Sequence, residues 1–327
     1  MIFDGHSDIL TNVANRRKKG ETNIFKKYHL EPFRESDIRG GILVVWVEPI
    51  YQKMPLERSN EIIKYALEEF HENQDIINLV KNHSDIEKGL NEGKINIMIG
   101  MEGLSQIKND ESYIDYIYDE IGARHAMLTW NELDNNLASC WKKDPNEGLT
   151  DLGKSVVKKM QTRGMILDVS HLNDGGFWDI MRMTNQPIIA SHSNSRKLMN
   201  HKRNLSDDMI KEIGKTGGVI GVNAYREFVG ADKSSQKLKN LADHFEYIAD
   251  LIGIDHVGFG FDFTDFLDSS DTGFPNLTGD TDCIDGLNSH REAKYFVEEL
   301  KNRGFKNEEL EKATFKNFDR VIKEILK

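Results

Sequence analysis

Eight short, almost wholly apolar runs recur along the chain, and longer amphipathic stretches separate most of them. The run at residues 41–47 is rich in β-branched residues, which is typical of a parallel strand buried on both faces. Between the runs, apolar residues recur at helical spacing, as in the long helix predicted from Ser59 to about Asn82. The eight runs begin at Met1, Gly41, Asn96, Ala126, Met165, Ile188, Val219 and Val257.

This alternation predicts parallel strands that are joined by crossover helices. Eight such units favour a (β/α)8 TIM barrel over an open sheet. We therefore expect residues 1–327 to form a single barrel domain, with a long active-site loop near residues 264–288 and C-terminal helices after it. No Gly-x-Gly-x-x-Gly or phosphate-loop pattern opens the first unit, which argues against a nucleotide-binding fold.

Composition and charge narrow the class of protein further. The chain is 30% charged with a net charge of −11, so it lacks the basic surface that nucleic acid binding requires. It has no long apolar stretch and no N-terminal leader pattern, so we expect neither a membrane span nor a signal peptide. Its two cysteines, Cys140 and Cys283, belong to no Cys-x-x-Cys motif. We therefore expect a cytoplasmic protein without disulfides.

Polar side chains that could bind a metal ion follow several of the predicted strands. His6 and Asp8 follow the first strand two positions apart, so both should point to the same side. The carboxyl ends of barrel strands gather at one mouth, which is where active sites lie. Taken singly, each of these residues fits a structural role better, but their shared position favours a metal site. The remaining residues of this set are Glu102, His171, His192 and Asp262.

Imidazole and carboxylate groups together form a ligand set suited to Zn²⁺, although Co²⁺ or Mn²⁺ could occupy the same ligands. Three imidazoles and two carboxylates exceed the three protein ligands of a usual single catalytic zinc site. Two zinc ions that share one bridging carboxylate would use all five ligands. The sequence therefore predicts a binuclear metal centre at the mouth of the barrel.

Six ordered motifs resemble those of the membrane (renal) dipeptidase family. The resemblance implies a barrel of the amidohydrolase type that hydrolyses dipeptides with two zinc ions per chain. It also implies a homodimer, and the chain shows no lipid-anchoring signal. The motifs are Asp4-Gly5-His6-Ser7-Asp8, Gly100-Met101-Glu102-Gly103, Asp168-Val169-Ser170-His171, Ser191-His192-Ser193, Arg203-Asn204 and Gly258-Phe259-Gly260-Phe261-Asp262-Phe263.

The resemblance also implies a role for each residue of the site. Arg203 would hold the terminal carboxylate of the substrate, a task that suits a guanidinium because it can form two parallel hydrogen bonds. Asp262 would transfer a proton between the attacking water and the leaving amine. The metal ligands would be His6 and Asp8 on one zinc ion, His171 and His192 on the other, and Glu102 as the bridge.

One position departs from the family pattern. Many members have a histidine after the fourth strand that helps to polarise the scissile carbonyl, and this chain has Trp130 there, followed by Asn131. Tryptophan can donate one N–H but cannot carry the charge of an imidazolium. We expect both residues to contact the substrate, with the metal ions or Asn131 stabilising the oxyanion.

The preferred hypothesis is a zinc-dependent dipeptidase in which a hydroxide bridging the two metal ions attacks the peptide bond. An amidohydrolase-type deacetylase, lactonase or cyclic-amide hydrolase is an alternative, but such enzymes commonly have His-x-His after the first strand and a carboxylated lysine. A second alternative is a catalytically impaired barrel that only binds metal.

The loop near residues 264–288 is rich in aspartate. We expect it to be a solvated lid, although its carboxylates could attract the α-ammonium group of a substrate. The residues concerned are Asp265, Asp268, Asp271, Asp280, Asp282 and Asp285.

Overall fold

Among residues 1–273 and 282–326, which the computed structural model describes, nine strands form one sheet at the centre of the protein. The strands are β1 (Ile2–Ser7), β2 (Ile38–Trp46), β3 (Ile77–Leu79), β4 (Ile95–Glu102), β5 (His125–Met127), β6 (Ile166–Asp168), β7 (Ile189–Ala190), β8 (Val219–Val222) and β9 (Val257–Phe259).

Eight of these strands close into a parallel barrel, in which β2 pairs with both β1 and β4. Strand β9 pairs with β1 and with β8, so the ring has no open edge on that side. All eight apolar runs overlap a strand of this ring. The predicted (β/α)8 TIM barrel is therefore confirmed, and the single-domain organisation expected for residues 1–327 stays a prediction.

Strand β3 was not expected, and it lies beside the ring rather than in it. It pairs with Ile95–Ile97 at the start of β4, whereas β5 pairs with the end of the same strand. The helix predicted from Ser59 to about Asn82 is wrong at both ends, because the helix spans Pro55–Glu72 and Ser59 is buried inside it. The apolar residues after this helix continue the helical spacing in the sequence. They form strand β3 instead, because they pair with free backbone groups at the start of β4.

Helices lie between successive strands and surround the barrel. They are α1 (Ile9–Lys18), α2 (Leu30–Glu35), α3 (Pro55–Glu72), α4 (His83–Asn91), α5 (Tyr113–Tyr116), α6 (Asp151–Arg163), α7 (Asp174–Met183), α8 (Asp207–Lys215), α9 (Arg226–Val229), α10 (Leu238–Ile252), α11 (Ser269–Thr272), α12 (Ala293–Asn302), α13 (Asn307–Glu311) and α14 (Asn317–Ile325). Single 3₁₀ turns lie at Pro49–Tyr51, Ser105–Ile107, Ile254–His256 and His290–Glu292, and π-helical turns at Phe25–His29, Ile117–Ile121 and Lys312–Lys316.

Two of the helices begin at a residue whose side chain caps the first turn. The side chain of Thr150 accepts a hydrogen bond from the backbone N–H of Gly153 at the start of α6. Ser206 does the same for Met209 at the start of α8. These side chains satisfy backbone donors that a helix leaves unpaired in its first turn.

The N-terminal end of the barrel is closed by the C-terminal helix α14. The ring of Phe318 lies 5.5 Å from that of Phe3, centroid to centroid, inside the barrel. Gly5 permits this packing, because a Cβ atom at that position would lie 2.7 Å from the Phe318 ring. The barrel is therefore a filled core at this end, and the opposite mouth is where barrels of this type carry their active sites.

No helix in the described part of the chain combines the length and the apolar character that a membrane span needs. Cys140 and Cys283 are both free and buried. The cytoplasmic location stays a prediction.

Candidate metal centre

The predicted metal ligands converge at the mouth of the barrel. His6 lies within β1, Asp8 follows this strand, and Glu102 is the last residue of β4. His171 and His192 follow β6 and β7. All five side chains are buried, the most exposed being 6% accessible. Five residues that are far apart in the sequence thus share one small volume.

Glu102 lies between the two groups of ligands. Its Oε2 atom is 3.5 Å from Nε2 of His6, and its Oε1 atom is 3.1 Å from Nε2 of His171. The same Oε1 atom is 3.7 Å from Nε2 of His192. Each carboxylate oxygen therefore faces a different side of the centre, which is the arrangement that a bridging ligand requires.

The side of the centre around His6 is strongly acidic. Nε2 of His6 lies 3.9 Å from Oδ2 of Asp8 and 3.7 Å from Oδ1 of Asp262. Two sets of three residues could each hold a metal ion, because the donor atoms within each set lie within 4.8 Å of one another. The sets are His6, Glu102 and His192, and His6, Asp8 and Asp262.

Unsatisfied polar atoms show that these residues fit a metal ion. Both ring nitrogens of His6 and the Oδ1 atom of Asp8 are buried without a hydrogen-bond partner in the described part of the chain. Nε2 of His171 and Nε2 of His192 face each other at 2.9 Å. Such groups are costly to bury unpaired, and a cation between them would satisfy them together.

The electrostatics of the site keep two imidazoles neutral. Burial lowers the pKa of His171 to about 4, and the charge of Arg203 contributes to this shift. Burial also lowers the pKa of His192 well below its usual value, with the charge of His6 adding to the effect. A neutral imidazole has the free electron pair that a metal ligand needs.

His6 and Asp262 respond to the concentration of negative charge. Burial alone would lower the pKa of His6, but nearby Glu102 and Asp262 raise it to about 10. Burial raises the pKa of Asp262 to about 6, and the charge of Glu102 acts in the same direction. The centre thus holds more negative charge than its own side chains can neutralise, which again favours a bound cation.

Outer contacts orient the two neutral histidines. Nδ1 of His171 lies 3.0 Å from Oδ1 of Asn131, and this oxygen also accepts a hydrogen bond from the Trp141 indole at 2.6 Å. Nδ1 of His192 lies 2.8 Å from the hydroxyl of Ser191. Because the outer nitrogen of each ring is occupied, Nε2 is the atom presented to the centre.

Asp168 fixes the two strand ends that lead to these histidines. Its Oδ1 atom accepts hydrogen bonds from the backbone N–H groups of Ser170 and Ser191 at 2.8 and 3.1 Å. Its Oδ2 atom is 2.9 Å from Nε2 of His125, and both side chains are fully buried. The sequence offered only one sign of this contact, which was a polar residue within the Asp168-Val169-Ser170-His171 motif.

Asp262 and His171 both have a strained backbone. Their φ angles are 62° and 68°, values that residues other than glycine rarely adopt. Oδ2 of Asp262 accepts a hydrogen bond from the side-chain amide of Asn223 at 3.1 Å, a contact that the sequence did not reveal. The turn after each strand thus points the side chain into the centre at a conformational cost.

Arg203 lies buried directly behind His192. Its guanidinium donates hydrogen bonds to the hydroxyl of Ser193 at 2.8 Å and to the backbone oxygen of His192 at 2.9 Å. A guanidinium has five N–H donors, so these bonds leave donors for a ligand. The predicted contact of Arg203 with a substrate carboxylate stays a prediction.

A cavity of about 220 Å³ opens above the centre, and Glu102 and His171 contribute to its lining. Trp130 and Asn131 also line it, which places both where contact with a substrate is possible. The Trp130 ring packs edge-on against Trp46, with 5.2 Å between centroids. The substrate roles of Trp130 and Asn131 stay predictions, and the oxygen of Asn131 is already engaged by His171.

The acidic loop contributes to the structure in several ways. Asp268 caps α11, and Asp271 lies 2.6 Å from the ammonium group of Lys19. Asp265 and Asp285 are exposed, and Asp280 lies outside the described residues. Asp282 lines the cavity.

A comparison with protein families and known proteins places these observations in context. The model of a family described as membrane dipeptidase (peptidase family M19) matches residues 1–327. A dipeptidase of Aspergillus oryzae, named aclJ, is 30% identical over 71% of this chain, and the match spans about half (52%) of that relative. An uncharacterized protein of Acinetobacter calcoaceticus is 26% identical over 77% of this chain and 90% of the relative.

Solved structures show the same fold. A metallopeptidase from Rhodobacter sphaeroides, solved with a phosphinate mimic of the dipeptide L-Ala-D-Ala, superposes with a TM-score of 0.86 at 19% identity. The superposition covers 99% of each chain. A probable dipeptidase from Pseudomonas aeruginosa, PvdM, has a TM-score of 0.82 at 21% identity and covers all of this chain and 95% of the other.

Proposed function

This chain belongs to the membrane dipeptidase family, and from that membership we propose that it hydrolyses dipeptides with two zinc ions held by the centre at the barrel mouth. The family match confirms the resemblance that the sequence motifs indicated and places the chain among the metallopeptidase-type hydrolases. The number and identity of the metal ions, the substrate and the role of each residue belong to the proposal.

The position of Glu102 is the observation that carries the proposal. One of its oxygens lies 3.5 Å from His6, and the other lies 3.1 Å from His171. A single carboxylate shared in this way suits two metal ions better than one. His6 and Asp8 would hold the first ion, and His171 and His192 would hold the second.

The chemistry follows from the residues around this centre. When bound, two zinc ions would lower the pKa of a water molecule and polarise the scissile carbonyl. Asp262 has a pKa of about 6, so it can take up a proton and release it near neutral pH. Asn223 holds the carboxylate of Asp262 in place by donating to its Oδ2 atom.

Substrate binding would use the charge and the shape of the cavity. Arg203 would hold the terminal carboxylate of the dipeptide, so that a longer peptide would present no carboxylate at this position. The indole rings of Trp46 and Trp130 exclude water from one wall of the cavity. Because Trp130 replaces a histidine common in the family, we propose that this chain relies on the metal ions for oxyanion stabilisation.

The decisive experiment is hydrolysis of a panel of L,L- and L,D-dipeptides by the purified full chain after its metal content is measured. N-acyl amino acids and lactones in the same panel test the related amidohydrolase activities. We expect hydrolysis of dipeptides only, and we expect a chelator to abolish it. Hydrolysis that survives complete metal removal, or a preference for lactones or N-acyl amino acids, would refute the proposal.

A matched pair of variants tests the bridging role of Glu102. Glu102→Gln should lower both the bound metal and the rate by at least about a hundredfold, because it removes a charged ligand common to both metal sites. Glu120→Gln makes the same chemical change at an exposed position and should alter neither. A wild-type rate in Glu102→Gln would contradict the proposed centre, and a barrel that binds metal without hydrolysing any dipeptide would favour the impaired alternative.

The homodimer and the cytoplasmic location belong to the same proposal. The homodimer rests on the family resemblance alone, and the proposed location rests on two free, buried cysteines. Light scattering after size-exclusion chromatography would test the oligomeric state.

A further inference from the structure

One buried carboxylate of the cavity has no role in the proposed metal centre or in proton transfer. Asp282 lines the cavity and is only 7% exposed. Its Oδ2 atom is buried and makes no hydrogen bond to any residue that the structure describes. A buried carboxylate oxygen without a partner is costly, so this side chain is suited to a ligand that can donate hydrogen bonds or carry positive charge.

Backbone hydrogen bonds hold Asp282 beside residues 224–226. The backbone oxygen of Asp282 accepts a hydrogen bond from the N–H of Arg226 at 2.9 Å, and Ile284 donates to the oxygen of Ala224 at 3.0 Å. The thiol of Cys283 lies 3.7 Å from the backbone oxygen of Asp262. The position of Asp282 is therefore fixed by β-like pairing and not by its own side chain.

Charged residues on both sides of Asp282 act on its pKa in opposite directions. Burial raises its pKa to about 6, the positive charge of Arg226 opposes this shift, and the negative charge of Glu227 adds to it. The guanidinium of Arg226 donates a hydrogen bond to the backbone oxygen of Cys283 at 2.9 Å. Glu227 also lines the cavity, so two carboxylates face the same space.

A continuous series of rings leads along the cavity towards these carboxylates. Trp141 contacts His201 at 4.9 Å between centroids, and His201 contacts Phe228 at 4.9 Å. Phe228, which follows Glu227 directly in the sequence, contacts Tyr225 at 4.7 Å between centroids. Such a wall can pack against the aliphatic stem of a long side chain, and ring faces also attract cations. Lys142, the cationic residue of the lining, lies over Trp141 at the other end of the series.

We propose that Asp282 and Glu227 form an acidic subsite that binds a cationic group of the dipeptide, either an ammonium or a guanidinium, beside the scissile bond. This inference rests on the proposed dipeptidase function and names the substrate class of the same cavity. The cation can come from the free α-amino group or from a lysine or arginine side chain. The ring series favours the side chain, because an aliphatic stem can lie along it.

The test compares kcat/KM for pairs of dipeptides with the zinc-loaded full chain. Lysine and norleucine at either position differ in the side-chain charge, and Ala-Ala and N-acetyl-Ala-Ala differ in the α-ammonium group. Each pair is measured in the wild type, in Asp282→Asn and in Glu227→Gln. Asp285→Asn is the matched control, because it makes the same change on the same segment at an exposed residue outside the cavity.

We expect the wild type to have a kcat/KM about ten- to a hundredfold higher for the cationic member of one pair. This ratio corresponds to the free energy of a hydrogen bond to a charged group. Asp282→Asn should reduce that ratio to within about threefold of unity, and Glu227→Gln should reduce it less because Glu227 is exposed. A loss confined to the lysine–norleucine pair identifies a side-chain subsite, and a loss confined to the N-acetyl pair identifies an α-ammonium subsite. Thermal unfolding of each variant confirms that a changed ratio does not come from misfolding.

Two results overturn the inference in distinguishable ways. If neutral dipeptides are hydrolysed but neither pair shows a preference, or if Asp282→Asn behaves like Asp285→Asn, the acidic subsite is wrong and the dipeptidase function stands. If no dipeptide is hydrolysed by the zinc-loaded protein, the proposed function fails and the subsite fails with it.

Discussion

The contact between Asn131 and His171 gives the sharpest prediction, because two roles for Asn131 lead to different measurements. A substrate contact would change KM without changing metal binding. The observed geometry instead places Oδ1 of Asn131 3.0 Å from Nδ1 of His171. In that position the amide oxygen accepts the outer ring proton and leaves Nε2 free for the metal ion.

The expected loss of zinc affinity follows from the contacts that Asn131→Leu removes. The substitution takes away the acceptor that serves His171 and the Trp141 indole. Loss of such an outer contact typically weakens metal binding about 10- to 100-fold. Asn131 and Trp141 are only half-buried, so water can replace part of the lost acceptor. We therefore expect a loss near the lower limit, about tenfold or about 1.4 kcal/mol, at one of the two metal sites.

Competition of the apoprotein with a chromophoric chelator for zinc measures both affinities in one titration. Asn131→Leu should weaken one binding step and leave the other unchanged, because the ligands His6 and Asp8 do not contact Asn131. Asn131→Asp keeps an acceptor oxygen and should retain most of the affinity. If both zinc affinities in Asn131→Leu equal those of the wild type while KM rises, Asn131 contacts the substrate and does not position His171.

Three further predictions concern stability. Gly5→Ala should lower the free energy of unfolding, measured by urea titration, by about 1–3 kcal/mol. The reason is that the new Cβ atom would lie 2.7 Å from the Phe318 ring and 2.8 Å from the backbone oxygen of Ser191. An unchanged urea midpoint would show that the N-terminal end of the barrel accommodates the methyl group without strain. Asp168 has a pKa lowered from 3.8 to about 2, so its contribution is complete above pH 3.8 and is lost as the pH falls towards 2. Asp168→Asn should therefore be less stable at pH 5 and should show a shallower fall in stability on acidification. Zinc at a hundredfold excess over its Kd should stabilise the apoprotein by about 2.7 kcal/mol in the same assay, and an equal effect in Glu102→Gln would contradict binding at this centre.

The sequence by itself determined the barrel and the residues at its mouth. Buried strands and amphipathic helices have periods that can be counted along the chain, and Thr150 and Ser206 cap their helices through neighbours three residues away. The polar residues His6, Glu102, His171 and His192 lie at or just after the carboxyl ends of strands, and these ends meet at one mouth of a closed parallel barrel. Their convergence was therefore predictable once the strand count was known.

Tertiary structure alone decided the features that depend on contacts between distant side chains. Ile77 continues a helical pattern but forms β3, because the start of β4 offers free backbone groups. Asn131 was predicted to contact the substrate, which stays a prediction, but the contact of its oxygen with His171, 40 residues away, was not predicted. Asp282 lies in the aspartate-rich segment predicted as a loop at residues 264–288, in which no pattern distinguishes one aspartate from the next. The local spacing of residues fixes secondary structure, but the partner of a buried polar group is known only when the packed structure brings the two together.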